Sequence, residues 1–379
     1  MKVDMVIKNG RVVDPSRNLD RVQDILISNG KIIAPPLKEV IDAVHVIDAS
    51  GCMVTPGLID FHNHIFAAGS DLCVSADAAL LPSGVTAAVD AGSSGSANYE
   101  LFLANMLLQK VRSKSFLHVC PTGLGTTQFH EVLKPGAWDK NKINTLFEKY
   151  NHFLLGLKIR ISKPIVGSLG LAPLQRTIEI ANEIGCPVCV HTTEGPAPVE
   201  ELLALLRPGD IFCHVFHGIG ETIITEGRMK ESVKKAQARG IIFDAANGSN
   251  HFSFATAEAA LAEGFFPDVI STDLTVKTLF KPPVYSLPYT LSKYLAIGCA
   301  LSDVISAATK FPARLMGMEG KIGTLASGAY ADIAIFKLVN QEVTFADAFK
   351  ETRKGKLMLL PQMTIVNGQI VFRQLDFLQ

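Results

Sequence analysis

The sequence predicts a (β/α)₈ TIM-like barrel that carries a small β-sandwich domain built from both termini. Short apolar runs alternate with longer helix-like segments through residues 53–320, a pattern that favours a parallel sheet. Eight strand-like runs in that length fit a barrel, which typically takes about 250 residues. An open, doubly wound sheet is the alternative, but no glycine-rich dinucleotide-binding pattern opens the first βα unit.

The two ends of the chain carry similar strand patterns around Asn-Gly turns. Residues 5–13, 25–33 and 364–371 each place Asn-Gly between apolar runs, which is a strong local signal for a β-hairpin. We therefore expect residues 1–52 and 321–379 to pair into the sandwich, with the barrel spanning residues 53–320.

The barrel elements follow in chain order. We predict strands at residues 53–60, 85–90, 116–120, 153–159, 187–190, 211–213, 241–243 and 269–271. Helices are expected between them, at residues 99–110, 174–184, 198–206 and 228–239.

Composition excludes several partner classes. Lys+Arg and Asp+Glu balance at 36 each, and this absence of basic excess argues against nucleic acid and acidic membrane surfaces. No apolar run approaches the roughly 20 residues that span a bilayer, and the first residues lack a secretory pattern. The 7 scattered cysteines indicate reduced thiols in a cytoplasmic protein, with Cys186-x-x-Cys189 expected in the core. A formal net charge of 0 permits a homo-oligomer.

Chemically capable side chains stand at the carboxyl ends of the predicted strands, where such barrels keep their active sites. His62 and His64 follow the first strand and share a face, because side chains in a strand alternate with a period of two. The same ends of later strands carry Lys158, Arg160, His191, His214 and Asp273. Imidazole and carboxylate are ligands for Zn²⁺ and similar cations, so these residues predict a metal site. The expected partner of this site is a small-molecule substrate.

Lys158 needs its own explanation, because an ammonium group would repel metal cations. Burial can lower the pKa of a lysine until it loses its proton, and the neutral amine could then take up CO₂ as an anionic carbamate. A lysine paired with a carboxylate is the alternative, and the surrounding histidines favour the carbamate.

The segment 57–64, with the later residues in their order, resembles the amidohydrolase superfamily. Residues 320–333 are similar to that superfamily's return into its β-domain, and Gly156-Leu157-Lys158-Ile159-Arg160 with Val166-Gly167 looks like its deacetylase-like branch. Members of that branch are often labelled dihydroorotase or adenine deaminase. The resemblance implies two divalent ions of the zinc class, bridged by carboxylated Lys158. It also implies a more buried ion on His62, His64 and Asp273, and a more exposed one on His191 and His214.

The mechanism implied by the resemblance is attack of a metal-bridging hydroxide on an acyl ester or amide. Asp273 would accept the proton and deliver it to the leaving group, while Arg160 would steady the oxyanion or grip a substrate carboxylate. A salt bridge at the barrel rim is the alternative for Arg160. We expect a deacetylase-like hydrolase of a small N-acyl or O-acyl carboxylic acid. A cyclic amide hydrolase of the dihydroorotase or hydantoinase type is the first alternative, and a purine (adenine) deaminase the second. The complete ligand set argues against a non-enzymatic scaffold.

Two loop residues are expected to contact substrate, namely His217 and Asn247. The superfamily often has Asn at the first position, and Gly-His-Gly where this chain has Ala246-Asn247-Gly248. His217 also competes with His214 as the ligand. We expect Asp244 to hydrogen bond structurally rather than replace Asp273, and His251 to be an ordinary loop residue.

Overall fold

The structure is a computed structural model that describes residues 1–35, 40–126 and 128–377. Its strands are β1 (Lys2–Lys8), β2 (Arg11–Asp14), β3 (Leu19–Val22), β4 (Ile25–Ser28), β5 (Lys31–Ile33), β6 (Asp42–Asp48), β7 (Cys52–Pro56), β8 (Leu58–Asn63), β9 (Val85–Gly95), β10 (Arg112–His118), β11 (Leu154–Arg160), β12 (Val188–His191), β13 (Ile211–Cys213), β14 (Ile224–Thr225), β15 (Arg228–Met229), β16 (Ile242–Ala246), β17 (Val269–Ser271), β18 (Ile333–Ala346), β19 (Thr352–Val366) and β20 (Gln369–Arg373).

The helices lie mainly between the barrel strands. They are α1 (Ala76–Leu80), α2 (Tyr99–Leu107), α3 (Lys140–Tyr150), α4 (Lys163–Val166), α5 (Ala172–Ile184), α6 (Val199–Leu205), α7 (Glu231–Ala238), α8 (Phe254–Ala262), α9 (Leu287–Ala296), α10 (Leu301–Ser306) and α11 (Lys310–Leu315). Short 3₁₀ turns cover Pro15–Arg17, Leu81–Ser83, Pro135–Ala137, Gly167–Leu169 and Leu375–Phe377. Within the described ranges, no helix is long and apolar enough to cross a membrane.

Eight strands form one parallel sheet, in the order β17-β16-β13-β12-β11-β10-β9-β8. The two ends of this sheet meet, because Asp273 N donates to His62 O at 2.7 Å and Asn63 bridges Leu274 in parallel. The Asp60 carboxylate strengthens the seam by accepting from Thr272 N and Thr272 Oγ1. The predicted barrel is confirmed.

The first predicted barrel strand is wrong in its extent, because residues 53–60 split at Gly57. β7 pairs with β18 and β2 in the β-domain, and only β8 enters the barrel beside β9. A Cβ at Gly57 would lie 2.1 Å from Thr86 Oγ1, so the chain can make this transition only with glycine. The strand predicted at 116–120 also starts earlier, as β10, because its polar first half (Arg112-Ser113-Lys114-Ser115) hides the apolar pattern.

The β-domain consists of two facing sheets, ordered β5-β4-β1-β6 and β20-β19-β18-β7-β2-β3, so strands from both termini build it. Apolar residues of both sheets fill the space between them, among them Ile7, Ile27, Val54 and Ile335. The expected β-rich domain is therefore present. Its division from the barrel at residues 52/53 and 320/321 stays a prediction, and residues 378–379 lie outside the described part of the chain.

Two of the three predicted hairpins form. β4 pairs with β5 through Asn29-Gly30, and β19 pairs with β20 through Asn367-Gly368, with positive φ at all four turn residues as this turn type requires. The hairpin predicted around Asn9-Gly10 is wrong. β1 pairs with β4 and β6 while β2 pairs with β3 and β7, so the turn carries the chain from one sheet to the other.

An apolar cluster fills the barrel interior. Ile59, Phe61, Val89 and Phe116 belong to it, with the rings of Phe61 and Phe116 edge to face at 6.1 Å between centroids. This packing leaves polar side chains to gather at the carboxyl ends of the strands.

Candidate metal centre

The carboxyl ends of the barrel strands surround a cavity of about 320 Å³. Its lining includes His62, His64, His118, Lys158, Arg160, His191, Thr193, Glu194, His251, Asp273 and Lys277. A larger cavity of about 450 Å³ lies at the opposite end of the barrel, where β11 and β12 begin. Barrel enzymes carry their chemistry at the carboxyl end, so the smaller, histidine-lined cavity is the candidate site.

One set of candidate ligands, which we name the first ligand group, consists of His62, His64 and Asp273. Asp273 Oδ1 lies 3.1 Å from His64 Nε2 and 3.8 Å from His62 Nε2. Burial, followed by the charge of nearby Lys158, holds the pKa of His62 well below its ordinary value. A neutral imidazole is the form that binds a metal, so the environment suits a ligand.

Hydrogen bonds behind the first ligand group orient both imidazoles. Ser93 Oγ donates to Asp90 Oδ2 at 2.7 Å, so its oxygen accepts from His64 Nδ1 at 2.9 Å. The proton on Nδ1 leaves the lone pair of His64 on Nε2, facing Asp273. Asp244 Oδ2 lies 2.8 Å from His62 Nδ1, so the hydrogen-bonding role expected for Asp244 agrees with its contacts.

A second ligand group consists of His191, His214 and His251. Their ring centroids lie 4.2 to 4.8 Å apart. The carbonyl of Ala246 can only accept, so His214 Nδ1 donates to it at 3.0 Å and the lone pair of His214 lies on Nε2. That Nε2 is buried and has no hydrogen-bond partner among the described residues. The ring of His62 lies 4.9 Å from that of His214, so the two ligand groups are neighbours.

Lys158 is buried and also belongs to the lining of the cavity. Its Nζ contacts Cys189 Sγ at 3.6 Å and Cys213 Sγ at 3.8 Å, and the two sulfurs are 3.2 Å apart. Burial acts to lower the pKa of Lys158, but the negative charges of the cysteines and of Asp273 outweigh it and raise this pKa above its ordinary value. The lowered pKa that the sequence predicts for Lys158 is therefore wrong when only the protein's own groups act on it.

Arg160 reaches the cavity wall, where its Nη2 donates to Glu131 Oε2 at 2.6 Å. Glu131 also lies 3.7 Å from His118 Nε2. Burial would raise the pKa of Glu131, but His118 and Arg160 together lower it. The side chain of Arg160 keeps 29% of its surface exposed, so the salt bridge leaves part of the guanidinium facing the cavity.

The two residues expected to contact substrate lie elsewhere, so these predictions gain no support. His217 is buried and does not line the cavity. Asn247 is also buried, and its amide is engaged by Ala245 O, Tyr294 OH and Lys293 Nζ. Hydrogen bonding inside the protein leaves Asn247 no free group for a ligand.

Sequence reasoning missed several residues at the site. It treated His251 as a loop residue, because the spacing along an irregular loop does not reveal which strand end the loop covers. Cys189 lies in the core as expected, but the sequence did not show that its sulfur meets Cys213 of the adjacent strand. Sequence reasoning gave no role to His118 or Glu131. The period-two alternation His191–Cys189 could have signalled that Cys189 faces the barrel interior.

The donor set fits a divalent metal centre. His62, His64 and His214 each have Nδ1 engaged in a hydrogen bond, which leaves Nε2 for a metal ion, the usual arrangement of histidine ligands. His214 and Asp273 also adopt left-handed backbone conformations, with φ of 62° and 51°. Such strain in residues other than glycine persists where the surrounding structure enforces it, often at functional sites.

Comparison with known proteins gives consistent results. Residues 53–371 match the family model described as the Amidohydrolase family. A deacetylase of Agrobacterium fabrum is 32% identical over 356 residues, covering 92% of this chain and 86% of the relative. A crystal structure of an adenine deaminase superposes with a TM-score of 0.89 at 29% identity, covering 98% of this chain and 100% of the other. A dihydroorotase structure follows with a TM-score of 0.87 at 29% identity and 98% coverage of both chains.

Proposed function

The chain belongs to the amidohydrolase family, and we propose that it is a metal-dependent hydrolase that removes an acyl group from a small N-acyl or O-acyl carboxylic acid. The observation that carries this proposal is the meeting of two ligand groups at one cavity, with Asp273 between them. Asp273 Oδ1 faces the first group, while its Oδ2 lies 3.7 Å from His251 Nε2 of the second.

Two divalent ions of the zinc class would be held by His62, His64 and Asp273, and by His191 and His214. When bound, such ions supply an activated nucleophile at neutral pH and polarise the scissile carbonyl. We propose zinc because imidazole and carboxylate ligands in a partly buried site suit it.

Asp273 is the residue that would move the proton. Its side chain is 11% exposed, so it reaches the cavity while its backbone is fixed at the barrel seam. One carboxylate oxygen would accept the proton of the attacking water and then deliver it to the leaving nitrogen or oxygen. The other carboxylate oxygen, 3.1 Å from His64 Nε2, would bind the same ion as His64.

Lys158 would be carboxylated and bridge the two ions. Its Nζ contacts thiols, and no carboxylate among the described residues forms a salt bridge with it. The protein's own groups favour the ammonium, but two cations bound nearby would disfavour it. A carbamate on Lys158 Nζ would instead carry a negative charge, which suits a metal ligand.

The substrate's carboxylate would be bound by cations at the cavity wall. Arg160 and Lys277 both line the cavity, on the strand end of β11 and on the loop after β17. Glu131 compensates part of the charge of Arg160 and fixes its position, which leaves its remaining N–H donors available. The deacetylase of Agrobacterium fabrum supports acyl transfer to water as the reaction.

Ring opening of a cyclic amide is the second candidate, because the same two-metal chemistry serves it and a dihydroorotase structure is similar over nearly the whole chain. Deamination of adenine is the third, favoured by the similarity to an adenine deaminase structure. A cytoplasmic location and self-association also belong to this proposal. The 7 free cysteines and the balanced charge support them.

The test is a substrate panel with holo-protein, comparing N-acetyl and O-acetyl carboxylic acids, dihydroorotate, a hydantoin and adenine. We expect the acylated acids to give the highest kcat/KM, and Lys158→Ala to abolish it. Lys163→Ala, an exposed lysine on α4, is the matched control and should retain activity. Full activity of Lys158→Ala would contradict the carbamate, and turnover of adenine alone would replace deacylation by deamination.

A further inference from the structure

His251 adds a third imidazole to the two histidines at strand ends, His191 and His214, in the second ligand group. It lies on the loop after β16, and its ring packs at 85° against His191 and at 37° against His214. The ligand atoms of these three imidazoles all lie within 4.8 Å of one another. Three imidazoles converging on one point offer a nearly complete coordination shell for a divalent ion.

The opposite nitrogen of His251 is already occupied. Nδ1 lies 2.9 Å from Thr193 Oγ1, so Nε2 is the atom that faces the cavity. Its nearest carboxylate oxygen is Asp273 Oδ2 at 3.7 Å, which is too long for a hydrogen bond. Nε2 therefore points between His191, His214 and Asp273 without a protein partner of hydrogen-bonding length among the described residues.

The loop is built to bring His251 this close. His251 N donates to Asn247 O, and Gly248 between them has φ of +52°. A Cβ at Gly248 would lie 2.4 Å from both Asp273 Oδ2 and His251 Cδ2. Only glycine lets the loop pass against the carboxylate and the imidazole together.

We propose that His251 is a third imidazole ligand, through Nε2, of the metal ion held by His191 and His214. The inference rests on the proposed two-metal centre and deepens it. The exposed ion would then have three histidines and the bridging carbamate, while the buried ion would have His62, His64, Asp273 and the same carbamate. Thr193 would be the positioning residue that fixes the His251 ring.

The proposal is tested by counting ligated nitrogens in the intact holo-protein. Protein labelled with [¹⁵N]histidine and loaded with ¹¹³Cd²⁺ should show one-bond cadmium–nitrogen splitting for the Nε2 of five histidines. The fifth resonance should disappear in His251→Gln. This measurement on the wild type does not depend on the folding of any variant.

Metal affinity supplies the second readout. Zn²⁺ is titrated into stripped protein against a chromogenic chelator, with Asn250→Ala as the control on the same loop. Wild type should bind two equivalents, and His251→Gln should bind one of them at least about tenfold more weakly, with the other unchanged. Asn250→Ala should match wild type.

The outcomes separate the two proposals. Two bound ions with only four split nitrogens, and an unchanged affinity in His251→Gln, would overturn the role of His251 and leave the proposed function intact. Wild type that binds fewer than two ions would overturn the two-metal centre itself, and the role of His251 with it.

Discussion

Replacing Asp244 by Asn should weaken metal binding without unfolding the protein. Asp244 Oδ2 lies 2.8 Å from His62 Nδ1, and the two side chains are 1% and 2% exposed. Ser271 Oγ donates to the other carboxylate oxygen. Asn has one oxygen, so if it accepts from Ser271, its NH₂ faces His62. His62 would then have to present a lone pair on Nδ1 and a proton on Nε2, the atom that should bind the metal.

The magnitude follows from this change of tautomer. Loss of a partner behind a histidine ligand typically costs 10- to 100-fold in metal affinity, or about 1.4–2.7 kcal/mol. Burial raises the pKa of Asp244 well above its ordinary value, so the carboxylate is costly in the absence of a cation. The neutral amide avoids that cost. We therefore expect the stability of the metal-free protein to stay the same or to rise.

The assay combines zinc titration against a chelator with thermal unfolding in excess EDTA. Asp210→Asn is the matched control, since Asp210 is also buried but accepts from Val188 N and pairs with Arg207 at the opposite end of the barrel. It should lower stability and leave zinc affinity unchanged. Zinc binding by Asp244→Asn as tight as that of the wild type would contradict the role of Asp244 in fixing the His62 tautomer.

Three further predictions follow from individual side chains. Burial lowers the pKa of His217 to about 4. Between pH 6.5 and 4, His217 is therefore protonated in the unfolded chain but neutral in the folded protein, so the free energy of unfolding falls as the pH is lowered. His217→Asn should therefore reduce the loss of unfolding free energy between pH 6.5 and 4 by up to about 3 kcal/mol, measured by denaturant unfolding. KM should stay unchanged, and a raised KM would indicate that His217 contacts the substrate. Gly92→Ala places a Cβ 2.6 Å from Lys158 Cγ at φ of +85°. The substitution should lower the free energy of unfolding by at least about 1 kcal/mol and weaken zinc binding. Normal zinc affinity would show that the position of Lys158 does not depend on this contact. Arg160→Gln should raise KM at least about tenfold for acylated carboxylic acids but not for neutral esters. An equal effect on both substrate classes would indicate that Arg160 stabilises the oxyanion instead of binding the substrate carboxylate.

Much of this architecture could be predicted from the sequence, because periodicity determines which face of a strand is buried. His62 and His64 belong together through the period-two alternation of β8, and the parallel order of the strands brings His191, His214 and Asp273 to the same edge. These features depend on local pattern and on the geometry of the barrel.

The parts that could not be predicted depend on contacts between segments distant along the chain. His251 reaches the site only because Gly248 lets its loop pass against Asp273. Sequence periodicity does not predict such a contact between a loop and a distant residue. Asn9-Gly10 has the chemistry of a hairpin turn, yet sheet packing sends its flanking strands to different sheets. The pKa of Lys158 depends on Cys189 and Cys213, which meet across two adjacent strands.

Anomalous diffraction from crystals grown with Zn²⁺ and bicarbonate tests the two-metal centre most directly. A two-metal centre bridged by carboxylated Lys158 should give two zinc peaks in the cavity, one on His62 and His64 and one on His191 and His214. Electron density continuous with Lys158 Nζ should lie between them. A single peak, or two peaks with an unmodified Lys158, would contradict this bridged two-metal centre.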